Sequence, residues 1–234
     1  LYVSEKDTDR VLCLDCNSGR IAWRAIVGGR VDSPPALYNG RVIFGSADGW
    51  VYSLRAADGT IAWRYRVAPA ERRVVSEGRI ESAWPVHGAV LVQNGVVYAA
   101  AGRSTFLDGG IFLCALDPVT GKLLHTARLE GPWPDVAVDD GSGRGIPGAL
   151  ADVLVGDGTN VYMRHVMFDA ALRQQGSWGG KKLGGGRPGP HLEATFGLLD
   201  DAGFNRTSWK YGGDTGQMLV FDDKNTYAAR IFTK

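Results

Sequence analysis

VLCLDCNSGRIAWR (residues 11–24) and VYSLRAADGTIAWR (residues 51–64) decide the fold of this chain. The frame Asp15-x3-Gly19-x3-Trp23 returns forty residues later as Arg55-x3-Gly59-x3-Trp63, with Ile-Ala-Trp-Arg unchanged. A third copy, LCALDPVTGKLLH (residues 113–125), keeps Asp117 and Gly121 and replaces the tryptophan by His125. A period near forty built on short strands predicts an all-β propeller of four-stranded antiparallel blades. Gly19, Gly59 and Gly121 end one strand in a bend that needs positive φ, and the tryptophans fall on the outer strand, where a flat ring can cover the neighbouring blade.

Composition agrees with that class. The chain has 234 residues, 44% of them hydrophobic, and 33 glycines spread among short apolar runs, as many tight turns between strands require. Lys and Arg number 26 against 25 acidic residues, a net charge of +1 with no like-charge block, so nucleic acid is not an expected partner. No stretch approaches the roughly twenty apolar residues of a membrane helix. The cysteines are Cys13, Cys16 and Cys114. Cys13 occupies the repeat position of Ser53 and Ala115, a slot for a small side chain, and no second pair completes a zinc site.

A second periodic mark is a turn between an apolar strand and one rich in Val and Tyr, at Asn39-Gly40, Asn94-Gly95, Asp157-Gly158 and Asp223-Lys224. The first three predict type I′ hairpins. Their spacings of 55, 63 and 66 residues exceed the forty of the frame, so later blades carry insertions. These are placed at 68–84, 131–150 and 170–191, the last two as glycine-rich loops unsuited to packed strands. The predicted blades are 1–29, 32–67, 86–129, 150–212 and an incomplete 216–232. About four blades are present, and the expectation is a single partial propeller domain within a larger, eight-bladed one.

The frame, best kept in ALDPVTGKLL and the two Gly-x-Ile-Ala-Trp copies, resembles the tryptophan-docking repeat of the pyrroloquinoline-quinone (PQQ) dehydrogenase propellers and their cofactor-free relatives. RIESAWPVHGAVLVQNGVVYAAAGRS and HLEATFGLLDDAGFNRTSWKYGG resemble segments of large bacterial proteins with PQQ-like repeats. The resemblance implies an eight-bladed propeller, often periplasmic or secreted, with either of two occupations. One is alcohol or sugar oxidation with PQQ, a calcium ion held by Glu and Asn, a catalytic Asp and a disulfide between adjacent cysteines. The other is scaffolding, as in the lipoprotein of the outer-membrane barrel-assembly machine. No Cys-Cys pair occurs here and no stretch carries the metal and base motifs.

The candidate site residues lie where loops meet a propeller's central channel. Arg79, Glu81 and His87 precede the innermost strand of a blade, where Glu81 and His87 are the candidate catalytic pair, a base and its orienter. Arg103 and Ser104 follow the strand VVYAAAG as a candidate anion contact. Arg164 and His165 are read within one strand, NVYMRHVMFD, where alternation sends them to opposite faces. Asp135, Asp139 and Asp140 precede a glycine run but lack the alternation of a calcium loop, and residues 179–187 lack the helix of a phosphate loop. No metal site is expected. The sequence supports an extracytoplasmic binding or scaffold module whose partners are a protein or small molecule at the loops and the remaining blades; the alternative is a PQQ-dependent oxidoreductase.

Overall fold

The turn at Asp15 shows how the repeat makes a hairpin. Its Oδ1 accepts the Asn17 and Ser18 amides at 3.1 and 2.7 Å and the Ser18 hydroxyl at 2.8 Å. Gly19, at φ 68°, gives its N–H to the Asp15 carbonyl at 2.9 Å. Asp117 repeats this wiring with Val119 and Thr120. In the second copy Arg55 stands in the acid's place, and Asp58 accepts from Thr60 while pairing with Arg55. Hydrogen bonds from the turn amides and hydroxyls hold all three carboxyls below the usual range.

The computed structural model describes residues 1–76, 78–131, 151–164, 166–178, 181–184, 191–194, 209–222 and 224–230. Strands β1 (Tyr2–Glu5), β2 (Arg10–Leu14) and β3 (Ile21–Ile26) form the first antiparallel sheet. The second is β4 (Ala36–Tyr38), β5 (Arg41–Gly45), β6 (Trp50–Arg55) and β7 (Ile61–Arg66). A separate hairpin, β8 (Arg73–Ser76) and β9 (Arg79–Ser82), precedes the third sheet of β10 (Leu91–Gln93), β11 (Val96–Ala101), β12 (Ile111–Leu116) and β13 (Leu123–Leu129). The fourth contains β14 (Leu154–Gly156), β15 (Val161–Met163), β16 (Val166–Phe168), β17 (Gln174–Trp178) and β18 (Lys181–Gly184). Then come β19 (Leu192–Ala194), β20 (Trp209–Tyr211) and β21 (Asp214–Gly216), and a last hairpin of β22 (Met218–Phe221) and β23 (Thr226–Ala229). The chain is all-β, a run of propeller blades in which, within each sheet, each strand pairs with the next in sequence.

The three frame copies are superposable in register. Cys13, Ser53 and Ala115 stand opposite Trp23, Trp63 and His125, and each pair of strands shifts register immediately after that position. Each tryptophan then crosses to the next blade. Trp23 Nε1–H donates to the Ala56 carbonyl at 2.9 Å, and Trp63 Nε1–H donates to the Pro118 carbonyl at 3.0 Å. The indole lies flat on the following turn's glycine: a Cβ on Gly59 would meet the Trp23 ring at 2.6 Å, and one on Gly121 the Trp63 ring at 2.7 Å.

His125 breaks the pattern, and the structure supplies a substitute. It is exposed on β13, while Tyr98 on β11 donates its hydroxyl to the Ala170 carbonyl of the next sheet's turn at 2.9 Å. Tyr98 holds the register position of Tyr2, whose hydroxyl reaches Ala56 beside Trp23 at 3.2 Å. In this turn the place of the glycine is taken by Leu172, at φ 59° and fully buried.

The core is organised by seams between blades. One buried cluster joins Val11, Trp23 and Val42 with Phe44, Tyr52 and Leu54; a second joins Ile43, Val51 and Trp63 with Val97 and Leu116; a third joins Tyr98, Leu113 and Leu129 with Val161 and Phe168. Strands β4, β10 and β14, the first of their sheets, lie beside one another.

Several expectations change. The stretch 170–191, read as a glycine-rich loop, contains β17 and β18. The stretch 68–84 holds the β8–β9 hairpin, whereas residues 132–150 lie outside the described residues, with Asp135, Asp139 and Asp140 among them. Asn39-Gly40 and Asn94-Gly95 have the positive φ pairs of type I′ turns, 43° and 71°, 51° and 73°. Asp157-Gly158 does not, because the Asp157 carboxylate instead draws in the Thr159 and Asn160 amides at 2.8 and 2.6 Å, making a longer capped loop. Residue 223 lies outside the described residues, and the neighbouring Asp222 caps its loop in the same way.

Candidate functional site

Blade-to-blade connections converge on one buried cluster of charges. The segment linking β3 to β4 carries Arg30 and Asp32; β9 carries Glu81; the segment before β10 carries His87; and the turn after β11 carries Arg103. Backbone hydrogen bonds fix these connections to one another. Ala47 N–H reaches the Arg30 carbonyl at 2.8 Å, Ser82 N–H the Ala47 carbonyl at 2.8 Å, Val86 N–H the Ser46 carbonyl at 3.0 Å and Gly102 N–H the Pro85 carbonyl at 3.0 Å. Gly28 and Gly29 let the linker pass Asp48 closely; a Cβ on Gly29 would sit 2.8 Å from the Asp48 amide nitrogen.

The side chains form a chain of alternating charge. His87 Nδ1 lies 2.6 Å from Asp32 Oδ2. Arg30 Nε lies 2.8 Å from Asp32 Oδ1, and Lys6 approaches the same oxygen at 4.0 Å. Arg30 Nη2 is 3.6 Å from Glu81 Oε2, while Arg103 pairs with Glu81 Oε1 and donates to the Ser82 and Ala83 carbonyls at 3.2 and 2.9 Å. Glu81 is 3% and Arg30 8% exposed, so both charges depend on these partners. A carboxylate only accepts, so with Asp32 ionised His87 carries its proton on Nδ1 and turns Nε2 away from the pair.

Burial pushes the Asp32 carboxyl up, but the His87 hydrogen bond and the charges of His87 and Arg30 outweigh it and hold it below the usual range. The folded chain therefore binds fewer protons here than the unfolded one. This stabilisation is complete above the ordinary carboxylate value of about 4 and is lost as pH falls through the depressed folded value. Urea unfolding between pH 6 and pH 3 should show wild-type stability falling more steeply than that of Asp32→Asn, which starts lower; parallel curves would remove Asp32 from the acid response.

The structure brings Glu81, His87 and Arg103 together and separates the other candidates. Arg79 shares β9 with Glu81, but its guanidinium binds Asp7 at 3.1 Å and Asp9 at 3.8 Å in the β1–β2 turn. The Ser104 hydroxyl caps its own turn, accepting the Phe106 amide at 3.2 Å. Arg164 is not in a strand: it follows β15 in a tight turn at φ 53°, so alternation of faces does not apply. It lies 4.0 Å from the buried Asp152, and its carbonyl accepts from His191, whose ring stacks on Tyr162 at 4.0 Å. His165 lies outside the described residues.

Arg30 and Asp32 are the members that sequence reasoning missed. A signal existed: Gly29-Arg30-Val31-Asp32-Ser33 is matched by Gly78-Arg79-Ile80-Glu81-Ser82, a repeat outside the tryptophan frame. The two acids occupy equivalent places and reach the same guanidinium of Arg30.

Residues 1–84 match the family model described as outer membrane protein assembly factor BamB. The dehydrogenase subunit of the quinone alcohol dehydrogenase of Acetobacter aceti is 29% identical over 141 residues, 54% of this chain and 18% of that subunit. The outer membrane protein assembly factor BamB of Moranella endobia is 29% identical over 63 residues, 27% of this chain and 16% of that protein. Among solved structures, quinohemoprotein alcohol dehydrogenase from Comamonas testosteroni superposes with a TM-score of 0.57 at 17% identity, over 90% of this chain and 38% of that one. The chain thus carries PQQ-like propeller repeats, similar to both kinds of protein, and spans less than a fifth of the curated relatives it matches.

Proposed function

We propose that this chain is part of a larger, eight-bladed PQQ-like propeller that serves as an extracytoplasmic binding or scaffold module, engaging a protein or small molecule through its loop face. The blades 1–29, 32–67, 86–129, 150–212 and 216–232 would then be one partial domain. One observation carries the reading: the buried carboxylates and guanidiniums at the blade connections bind one another, Asp32 to Arg30 and His87, Glu81 to Arg30 and Arg103. Such a closed network clamps three blades together and leaves the outer loops to meet the partner.

The 29% identity with a quinone alcohol dehydrogenase subunit over 54% of the chain favours a second reading, a PQQ-dependent oxidoreductase. The described residues do not fit the quinone. Cys13 lies on β2, Cys16 in the turn beyond it and Cys114 in β12, all as free thiols, so no ring of adjacent cysteines forms among them. Asp32 and Glu81 each lie within ion-pair distance of basic side chains, Asp32 of Arg30 and His87 and Glu81 of Arg30 and Arg103, so neither carboxylate is an uncompensated ligand for a calcium ion. Any quinone site in the intact protein would draw on other residues.

Supplying the full-length polypeptide with PQQ and calcium separates the two readings. No quinone absorbance band should remain after gel filtration, and no dye-linked oxidation of primary alcohols should follow. A retained band with turnover would overturn the scaffold reading.

A further inference from the structure

The connection from β7 to the third sheet carries a hairpin that stands outside the repeat. Among the described residues β8 and β9 pair with each other alone. One face of the hairpin is fixed to the protein: Glu81 enters the buried charge cluster, Val74 packs beside the cluster around Trp63, and Arg79 reaches Asp7 and Asp9. Arg72, just before β8, pairs with Asp108 in the third blade. On the other face Val75 and Ile80 stand opposite one another, 77% and 68% exposed, and alternation puts Arg73 beside Val75 there.

The outer edge of β8 offers backbone groups as well. Ala83 N–H bonds the Arg72 carbonyl at 2.8 Å, so alternation makes Val74–Glu81 and Ser76–Arg79 the hydrogen-bonded pairs. The N–H and C=O of Arg73 and Val75 therefore turn away from β9. An edge of this kind, held rigid and extended, is a template for a further strand. The surrounding charge is basic: residues 64–79 hold Arg64, Arg66, Arg72, Arg73 and Arg79 against Glu71 and Glu77, in a chain of net charge +1. Arg73 meets Glu71 at 3.3 Å, and both side chains are exposed, so an incoming carboxylate can replace Glu71 at little cost.

We infer that β8 is the docking edge for an extended segment of a partner protein, which adds to the hairpin as a third strand. Backbone bonds to Arg73 and Val75 supply the attachment, and side chains at alternate positions supply the choice of partner. On the exposed face the segment carries an apolar residue beside Val75 and, two places along, an acidic residue beside Arg73. The inference rests on the reading of this chain as a binding module and names the class of partner that the module takes.

The probe is a short fluorescein-labelled peptide with threonine at alternate positions and valine and glutamate by turns at the others. Its fluorescence anisotropy should saturate on titration with the full-length polypeptide. Val75→Pro should weaken binding at least about tenfold, since proline removes an outward N–H and none that pairs with β9. An unchanged urea midpoint shows that the variant is folded. The peptide tests the same bond without any variant: of its two alternate N-methylation patterns, one faces β8 and should abolish binding, while the other leaves it. Lysine in place of the glutamates should cost at least about tenfold more. No saturable binding, or equal binding of the two N-methylated peptides, overturns the inference. So does binding to phosphatidylglycerol vesicles in place of the peptide, which assigns the edge to a membrane, or self-association lost in Val75→Pro, which assigns it to a second copy. The scaffold reading falls instead on retained quinone with turnover, so the two failures are told apart.

Discussion

Trp63→Ala is expected to destabilise the protein by about 3–5 kcal/mol, the range for removing a large aromatic side chain from a packed site. The ring is 8% exposed, joins the cluster shared by the second and third blades, covers Gly121 and donates to the Pro118 carbonyl. Its loss opens a cavity at the seam and leaves a carbonyl without its donor. Trp63→Phe keeps most of the ring and loses the N–H, and should cost about 1–2 kcal/mol. His125→Ala, at the same repeat position but exposed, should stay within about 0.5 kcal/mol of wild type because Tyr98 carries that seam. Urea unfolding of the three variants checks the order; equal losses at Trp63 and His125 would mean that the frame position, rather than the docked indole, sets stability.

Glu81→Ala should cost about 3–5 kcal/mol, because breaking a buried ion pair leaves its partner charged and uncompensated. Here the partner most affected is Arg30, which loses one of its two buried carboxylates and keeps Asp32, whereas Arg103 is more exposed and retains the Ser82 and Ala83 carbonyls. Glu81→Gln preserves shape and part of the hydrogen bonding, so its loss should be smaller. Arg79→Ala, two residues away on the same strand, breaks the pairs with the exposed Asp7 and Asp9 side chains and the long bonds to the Lys6 and Asp7 carbonyls, and should cost about 0–1 kcal/mol. If Glu81→Ala proved as mild as Arg79→Ala, the cluster would not be the clamp described above.

Much of the blade frame was legible because its physics is local. A glycine at positive φ, an acid capping its own turn and an Asn-Gly hairpin each act within a few residues, and Gly19, Asp15 and Asn39-Gly40 took the forms expected of them. The tryptophans could be assigned to packing because the repeat itself placed them on the outer strand. The charged cluster was harder to read, since its members lie up to 73 residues apart and meet only through blade packing. Glu81, His87 and Arg103 were visible as polar residues near a mouth, but their partners Arg30 and Asp32 were hidden by the prominence of the Trp frame. The positive φ at Arg164 gave no warning at all, because arginine is not among the residues that normally mark it.

The sharing of each buried cluster between neighbouring blades bears on how such a protein can change over generations. No cluster among the described residues belongs to one blade alone, and none spans the whole chain. Duplicating or deleting a blade therefore asks for one compatible pair of faces, without repacking the others. The Tyr98 seam illustrates the same tolerance at the scale of a residue: where the outer strand carries His125 and no indole, a phenol two strands away supplies the bond to the next turn, and the Trp23 and Trp63 seams keep theirs. A change in the length or decoration of one blade can therefore leave the seams between the others as they are.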